Sequence, residues 1–264
     1  MRVFTDQVGR QITLPDTPPR RIVSLVPSQT ELLASLGLDE EVVGITKFCI
    51  HPNRWFKSKK RIGGTKDVKI QEVLALQPDL IIANKEENEQ GVLEILSQFA
   101  PVWISDVRSL PDALQMIEAV GELTGKSLVS KPMAAEIAAG FDSLPTVLQG
   151  KRVLYSIWYK PWMLAGHDTF IGSLLRLLGA ELLVPAESTS RYPEVSIEQM
   201  KLLEPDLVLL SSEPFPFKQK HVDELQRAGL DVPIQLVEGD MFSWYGSRLA
   251  IVPHYLRELA NHFR

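Results

Sequence analysis

Leu76-Gln77-Pro78-Asp79-Leu80-Ile81-Ile82 and Leu203-Glu204-Pro205-Asp206-Leu207-Val208-Leu209 are one pattern written twice, 127 positions apart. In each copy an amphipathic stretch, 70–76 or 197–203, runs into Pro-Asp and then into an apolar run that stops at polar residues. That order predicts a helix, a tight turn and a buried strand. The same offset makes Glu86, in Asn84-Lys85-Glu86-Glu87, the counterpart of Glu213, in Ser211-Ser212-Glu213-Pro214. Both carboxylates follow the C-terminal end of a predicted strand, which is where open α/β sheets bind ligands. The repeat therefore predicts two similar α/β lobes facing each other across a cleft.

Outward from the repeat, each half opens alike. Residues 21–26 form a strand signal ended by Pro27-Ser28, and 29–36 reads as a helix with Ser28 as N-cap, Glu31 completing a capping box and Gly37 as its stop. In the second half 151–157 is a strand, and 170–178 is a helix stopped by Gly179, with His167-Asp168 read as its cap. Further strands are expected at 42–46, 102–105, 182–185 and 234–237. Strands alternating with helices predict parallel sheets with right-handed crossovers. Between the halves 111–148 reads as helical almost throughout, with Gly125 as a break. Its later part, 127–144, is expected to be one helix joining the lobes, with Pro132 near its start or kinking it. Such a linker bends less than a loop and predicts small relative motion. The expected layout is an N-terminal α/β lobe over 1–125, a linking helix over 126–150 and a C-terminal α/β lobe over 151–264.

Composition narrows the function. With 264 residues and 45% hydrophobic content there is material for two cores. Lys+Arg 28 against Asp+Glu 33, a net −5, gives no general basic surface for nucleic acid. No apolar stretch reaches the roughly 18–20 residues that cross a bilayer. Met1-Arg2-Val3-Phe4-Thr5-Asp6 carries no apolar region of a signal peptide, so either the chain is cytoplasmic or a leader was removed. A single cysteine, Cys49, excludes an internal disulfide.

The combination Ile22-Val23-Ser24-Leu25-Val26-Pro27-Ser28-Gln29-Thr30-Glu31, the Gly63-Gly64 pair and Pro78-Asp79-Leu80 resembles the ABC-transporter substrate-binding proteins with a helical backbone between lobes. This class III periplasmic binding protein family carries vitamin B12, ferric siderophores, haem and some metal ions. The likeness spans nearly the whole chain. It implies two Rossmann-like lobes with parallel sheets joined by one long helix, and a ligand cleft between them. It also implies that a glutamate on each lobe docks onto arginines of a permease dimer, at the positions of Glu72 and Glu198. The plainer reading of both is a solvated acid favoured by a helix start. The chain departs from B12 carriers where those place tryptophans, since Lys66 and Asn84 stand there. Phe48 stands where they carry tyrosine.

Candidate ligand-binding residues lie at strand ends and in facing loops. In the first half these are Phe48, His51, Lys85 and Glu86. In the second half they are Trp158, Trp162, Arg191, Tyr192, Glu213 and Phe215, followed by Trp244, Tyr245 and Arg248. Aromatic faces with a few charges suit a large, flat, partly apolar ligand. Lys85, Arg191 and Arg248 are placed to meet its carboxylates or phosphate. Cys49-Ile50-His51 sets two metal-ligand types on one side of an extended segment. The alternative is that Cys49 is a small buried hydrophobe and His51-Pro52 part of a turn.

No nucleophile elbow, Walker loop, Rossmann glycine fingerprint or zincin helix occurs, so no enzyme is expected. The expected function is the binding component of an ABC importer for a corrinoid, haem, ferric siderophore or related metal chelate. It would be a monomer at the outer face of the cytoplasmic membrane or in the periplasm, with no intrinsic cofactor because the metal arrives inside the ligand. Two alternatives remain open. One is a chelatase-like enzyme using His51 and Glu86; the other is a cytoplasmic ligand sensor that kept the fold.

Overall fold

The computed structural model describes residues 1–260. It divides into two compact units, the first comprising 1–107, 111–139 and 244–250, the second 108–110, 140–243 and, among the described residues, 251–260. The sequence reading put 244–250 in the C-terminal lobe; in the structure this segment is part of the first unit.

The first unit opens with an antiparallel hairpin, β1 (Arg2–Thr5) and β2 (Gln11–Leu14). Then follow β3 (Ile22–Ser24), α1 (Pro27–Ser35), β4 (Val42–Ile45), α2 (Asn53–Ser58) and β5 (Lys60–Arg61). After these come α3 (Ile70–Ala75), β6 (Leu80–Asn84), α4 (Gln90–Leu96), β7 (Val102–Ser105) and α5 (Leu110–Leu123). The sheet is parallel in the order β5-β4-β3-β6-β7. Val23, Ile81, Ala83 and Val102 from its strands close a core with Val73, Leu93 and Leu96 from the helices. β3 and β6 are buried at every position, as strands covered on both faces must be. α6 (Ser127–Asp142) starts in this unit and carries Pro132 inside; its residues from Gly140 belong to the second unit.

In the second unit the order is β8 (Arg152–Trp158), β9 (Trp162–Leu164), α7 (Phe170–Leu177), β10 (Glu181–Leu182), β11 (Glu194–Val195), α8 (Ile197–Leu202) and β12 (Leu207–Ser211). α9 (Gln219–Arg227), β13 (Ile234–Val237) and α10 (Asp240–Ser243) follow and, after the first-unit segment that holds a short 3-10 turn at Ser247–Ala250, α11 (Val252–Ala260) ends the described residues. The sheet runs β11-β9-β8-β12-β13, with β10 beside the start of β8. β8, β12, β13 and β10 are parallel, whereas β9 and β11 add an antiparallel edge. The expected parallel sheet is present, and it gains this edge because Trp158 to Trp162 is too short for a crossover and permits only a hairpin return.

The repeat is reproduced in the backbone of its turns. Leu76 and Leu203 close their helices with nearly equal angles, φ −79°, ψ −8° and φ −73°, ψ −9°. Gln77 and Glu204, the next residues, both take φ 46°. The Pro-Asp carboxylates then cap the neighbouring strand: Asp79 accepts the N–H groups of Arg20 and Arg21, each at 2.8 Å, and Asp206 that of Arg152 at 2.8 Å. This sets the registers Ile22–Leu80 and Val153–Leu207.

Three local expectations change. α1 begins at Pro27, not after Ser28; Val26 occupies the N-cap without a side-chain bond, because proline at the first helical position needs no partner. Glu31 therefore makes no capping box and is used elsewhere. The cap of α7 is Thr169, whose hydroxyl accepts Gly172 N–H at 2.9 Å, rather than His167-Asp168. The strand expected at 182–185 is confined to Glu181–Leu182.

Candidate functional site

In the first unit the C-terminal ends of β3, β6 and β7 carry a buried polar network. Asn84 is 1% exposed; its Oδ1 accepts Glu86 N–H at 2.8 Å and Glu87 N–H at 3.0 Å, and its Nδ2 donates to Ser105 Oγ at 3.0 Å. Asn88 accepts Asn84 N–H at 2.9 Å and donates to Thr65 O at 3.0 Å. A chain turning sharply out of a buried strand leaves backbone groups without ladder partners, and the two asparagines supply them. This fixes the loop that presents Lys85 and Glu86. Lys85 pairs with Asp106 at 2.9 Å, Lys66 donates to Glu86 O at 2.7 Å, and Glu86 is half-buried.

After β4 the chain leaves Phe48 exposed, with the Lys47 ammonium 5.1 Å from its ring centre, while Cys49 turns inward. The Cys49 sulfur lies 3.1 Å from both the Thr30 and Thr46 hydroxyls, and burial pushes its thiol pKa up. A thiol so held stays protonated at neutral pH. Among the described residues no group of three or more His, Cys, Asp and Glu converges as a metal site. Of the Cys49–His51 pair, the thiol is thus turned toward the Thr30 and Thr46 hydroxyls. His51 meets Trp244 edge-on at 5.7 Å. Above Trp244, at 4.7 Å, lies the guanidinium of Arg248, which donates to both oxygens of Glu31 at 2.7 and 2.9 Å and is 9% exposed in its side chain. Trp244 and Tyr245 are each 8% exposed.

In the second unit the corresponding strand ends are aromatic. Trp158, at the end of β8, is 40% exposed and meets Phe215 edge-on at 5.9 Å. Tyr159 touches Trp162 at 5.2 Å and Phe215 at 5.4 Å. Trp162 itself is buried and stacks on Phe217 at 5.4 Å with a 12° tilt, so it belongs to the core of this unit. Glu213 accepts the Ser243 hydroxyl at 2.8 Å, and Arg191 Nε donates to Asp168 O at 2.6 Å; Tyr192 is half-buried beside it in sequence.

Phe48, His51, Lys85 and Glu86 with Trp244, Tyr245 and Arg248 thus fall in the first unit, and Trp158, Trp162, Arg191, Tyr192, Glu213 and Phe215 in the second. Ile50, half exposed beside Phe48, and His221, at 1% exposure beneath the aromatic residues of the second unit, were not singled out from sequence. Two open grooves of about 410 and 440 Å³ lie at the N-terminal ends of first-unit strands, and none of the candidate residues lines them.

Glu72 is at the first turn of α3 and Glu198 at that of α8, the two repeat helices. Glu72 is paired with Lys60 at 2.7 Å and remains 40% exposed. Its pKa is lowered, first by the Lys60 hydrogen bond. Glu198 is exposed, and its pKa is lowered first by its own backbone N–H and then by the Ser196 hydroxyl.

Parallel sheets with ligand-type side chains at their C-terminal ends, two units sharing one repeat, and a helix running from one unit into the other define a helical-backbone binding protein. A family profile described as periplasmic binding protein matches residues 22–229, and the chain belongs to that family. It is 26% identical over 239 residues to a vitamin B12-binding protein of Pectobacterium carotovorum, covering 88% of this chain and 85% of the relative. Its fold is similar to that of a periplasmic haem-binding protein of Roseiflexus sp. RS-1, with TM-score 0.75, 22% identity and coverage of 92% and 98%. It is likewise similar to that of a periplasmic catecholate-siderophore binding protein of Vibrio cholerae, with TM-score 0.77, 15% identity and 99% coverage of both chains.

Proposed function

We propose that this chain is the substrate-binding component of an ABC importer and that its ligand is a haem, ferric siderophore, corrinoid or related metal chelate. The observation that carries the reading is the exposed ring at a strand's C-terminal end in each unit, Phe48 at 51% and Trp158 at 40% exposure. Large apolar side chains left in water at ligand-binding strand ends favour a flat, partly apolar ligand. Lys85, Arg191 and the half-buried Glu86 and Glu213 supply polar orientation. The names of the relatives cover this ligand class. Asn84 and Lys66, standing where B12 carriers place tryptophans, favour haem or a siderophore over cobalamin. The protein acts as a carrier and not an enzyme, outside the cytoplasmic membrane, as a monomer; no described helix is long and apolar enough to cross a membrane.

Glu72 and Glu198 are proposed as the docking acids. Two contacts made together reinforce each other, because the second is intramolecular. The test is titration of haemin, cyanocobalamin, cobinamide and a ferric catecholate siderophore against tryptophan fluorescence, with quenching expected for at least one. Folded protein without micromolar binding to any of the four overturns the carrier reading. Replacing Glu72 and Glu198 together by alanine should leave that affinity in place while abolishing stimulation of the cognate transporter's ATPase; retained stimulation removes the docking assignment.

A further inference from the structure

The aromatic face of the second unit rests on one imidazole. His221 is 1% exposed, and its ring lies 4.8 Å from Tyr159, 5.2 Å from Phe215 and 5.3 Å from Phe217. It is the third residue of α9 and takes part in a reciprocal cap. Lys218 N–H donates to His221 Nδ1 at 2.9 Å, and His221 N–H donates to Lys218 O at 2.9 Å. The accepting nitrogen carries no proton, so the neutral imidazole bears its hydrogen on Nε2, a buried atom without a hydrogen-bond partner. The segment so capped leads back to the ligand-facing rings: Phe217 N–H donates to Phe215 O at 2.9 Å, Phe215 N–H to Ile157 O at 3.3 Å, and Phe215 supports exposed Trp158.

We propose that His221 is the positioning residue of this face: the neutral imidazole holds 215–217 and Trp158 in their binding arrangement, and protonation releases them. The proposal rests on the carrier reading for its consequence in ligand retention, but its structural part stands apart from any ligand. A proton on Nδ1 would confront the Lys218 N–H and end the cap. Lys218 O, at 3.2 Å from Nδ1, is an alternative acceptor, but turning to it abandons the donor that the helix start fixes. The charge would also sit among aromatic rings without water. The charged groups of α9 are Lys220, Asp223, Glu224 and Arg227, with Lys218 at its N-cap; of these Lys220 and Lys218 oppose protonation of His221 and Glu224 favours it. From the β8–β9 turn come Tyr159, whose hydroxyl is bonded to Glu224 at 2.8 Å, and Lys160 over the Tyr159 ring. Burial and then Lys220 outweigh the opposing groups, so the pKa is lowered from 6.5. The group then contributes stability in full above about pH 6.5, and loses it as pH falls toward the depressed folded value.

The same chain contains the control. In α8 the third residue is Gln199, whose Oε1 accepts Ser196 N–H at 2.8 Å; that amide does the work of His221 without titrating. His221→Gln keeps the acceptor and removes the proton site, whereas His221→Phe keeps a ring and removes the acceptor. On the full chain without ligand, the C2 proton of His221, identified by its loss in His221→Gln, should titrate below the ordinary histidine range. The near-UV circular dichroism of the wild type should change with the same midpoint. That change should be missing in His221→Gln, and His221→Phe should already show the altered spectrum at pH 7.5. Cyanocobalamin and haemin affinities, where either binds, should fall in the wild type toward about tenfold per pH unit, the limit for one linked proton, and stay flat in His221→Gln. An ordinary titration midpoint, or a near-UV change that persists in His221→Gln, overturns the proposal while leaving the carrier reading intact. Failure of every ligand to bind overturns the carrier reading while the ligand-free arm still decides the role of His221.

Discussion

The two copies of the repeat share a backbone and differ in what they carry. Up to the strands the correspondence is close: the same helix-closing angles, the same left-handed residue at Gln77 and Glu204, and the same aspartate capping the neighbouring strand. Beyond the strands it ends. β6 ends at Asn84, buried and hydrogen-bonded to Asn88 in the following loop and to Ser105 at the end of β7, whereas β12 delivers the chain into Phe215, Phe217 and His221. Local turn chemistry constrains the first part, since few residue choices satisfy a left-handed turn followed by a capped strand. The loop after the strand has no such duty and is free to diverge, as loops that carry function generally do.

The comparison breaks most visibly in the cores. Val73 and Met200 occupy equivalent helix positions and are both fully buried. Met200→Ala should cost about 2–5 kcal/mol, and Val73→Ala less, because two carbons are removed instead of three heavy atoms. Hydrogen exchange read separately at β12 and β6 checks this. Equal loss of protection in both strands from either variant would mean that the two units do not unfold independently.

The next effect concerns the aspartates. Asp79 accepts two backbone N–H groups and Asp206 accepts that of Arg152. Hydrogen bonds to a charged acceptor support Asp79→Ala at roughly 1–2 kcal/mol after allowing for solvent access, with Asp206→Ala about half as much. Urea unfolding of both variants measures the ratio. A larger loss for Asp206 would show that Arg152, which also reaches Glu204 at 3.4 Å, depends on the aspartate more than the backbone pattern indicates.

These positions also show how far the chain could be read without coordinates. The repeat, the order of strands and the bounds of β7 and β13 follow from periodicity and turn residues, which act over a few neighbours. The Glu31–Arg248 pair does not, because its partners are 217 residues apart and nothing near Glu31 distinguishes it from a helix-capping acid. Trp162 was read as a ligand residue because exposed and buried tryptophans look alike in sequence; stacking on Phe217 decides its role. His221 went unnoticed because glutamine or glutamate is the usual third residue of a capping box, and an imidazole there carries no familiar pattern.

The smallest effect separates Glu72 from Glu198, and it bears on docking. Both carboxyl groups have lowered pKa values, but for different reasons: an ammonium 2.7 Å away for Glu72, and hydrogen bonds from its own N–H and the Ser196 hydroxyl for Glu198. Each ionised form is favoured above the ordinary carboxylate value of 4.5, and that preference is lost as pH falls below it. Lys60→Met should return the Glu72 carboxyl toward its ordinary range and leave Glu198 where it is, as read by carboxyl-carbon NMR. Added salt should relax Glu72 further than Glu198, because the Debye length shrinks from about 10 Å at 0.1 M to about 3 Å at 1 M while backbone hydrogen bonds are unaffected. In the docking proposed above, a permease arginine reaching Glu72 would have to displace Lys60, a competitor that the helix-start hydrogen bonds of Glu198 do not present. Lys60→Met should therefore raise the contribution of Glu72 to transporter stimulation slightly and leave that of Glu198 unchanged. Identical salt and pH responses of the two carboxyls would mean that both are held by their helix starts alone, and that the Lys60 pair has no part in docking.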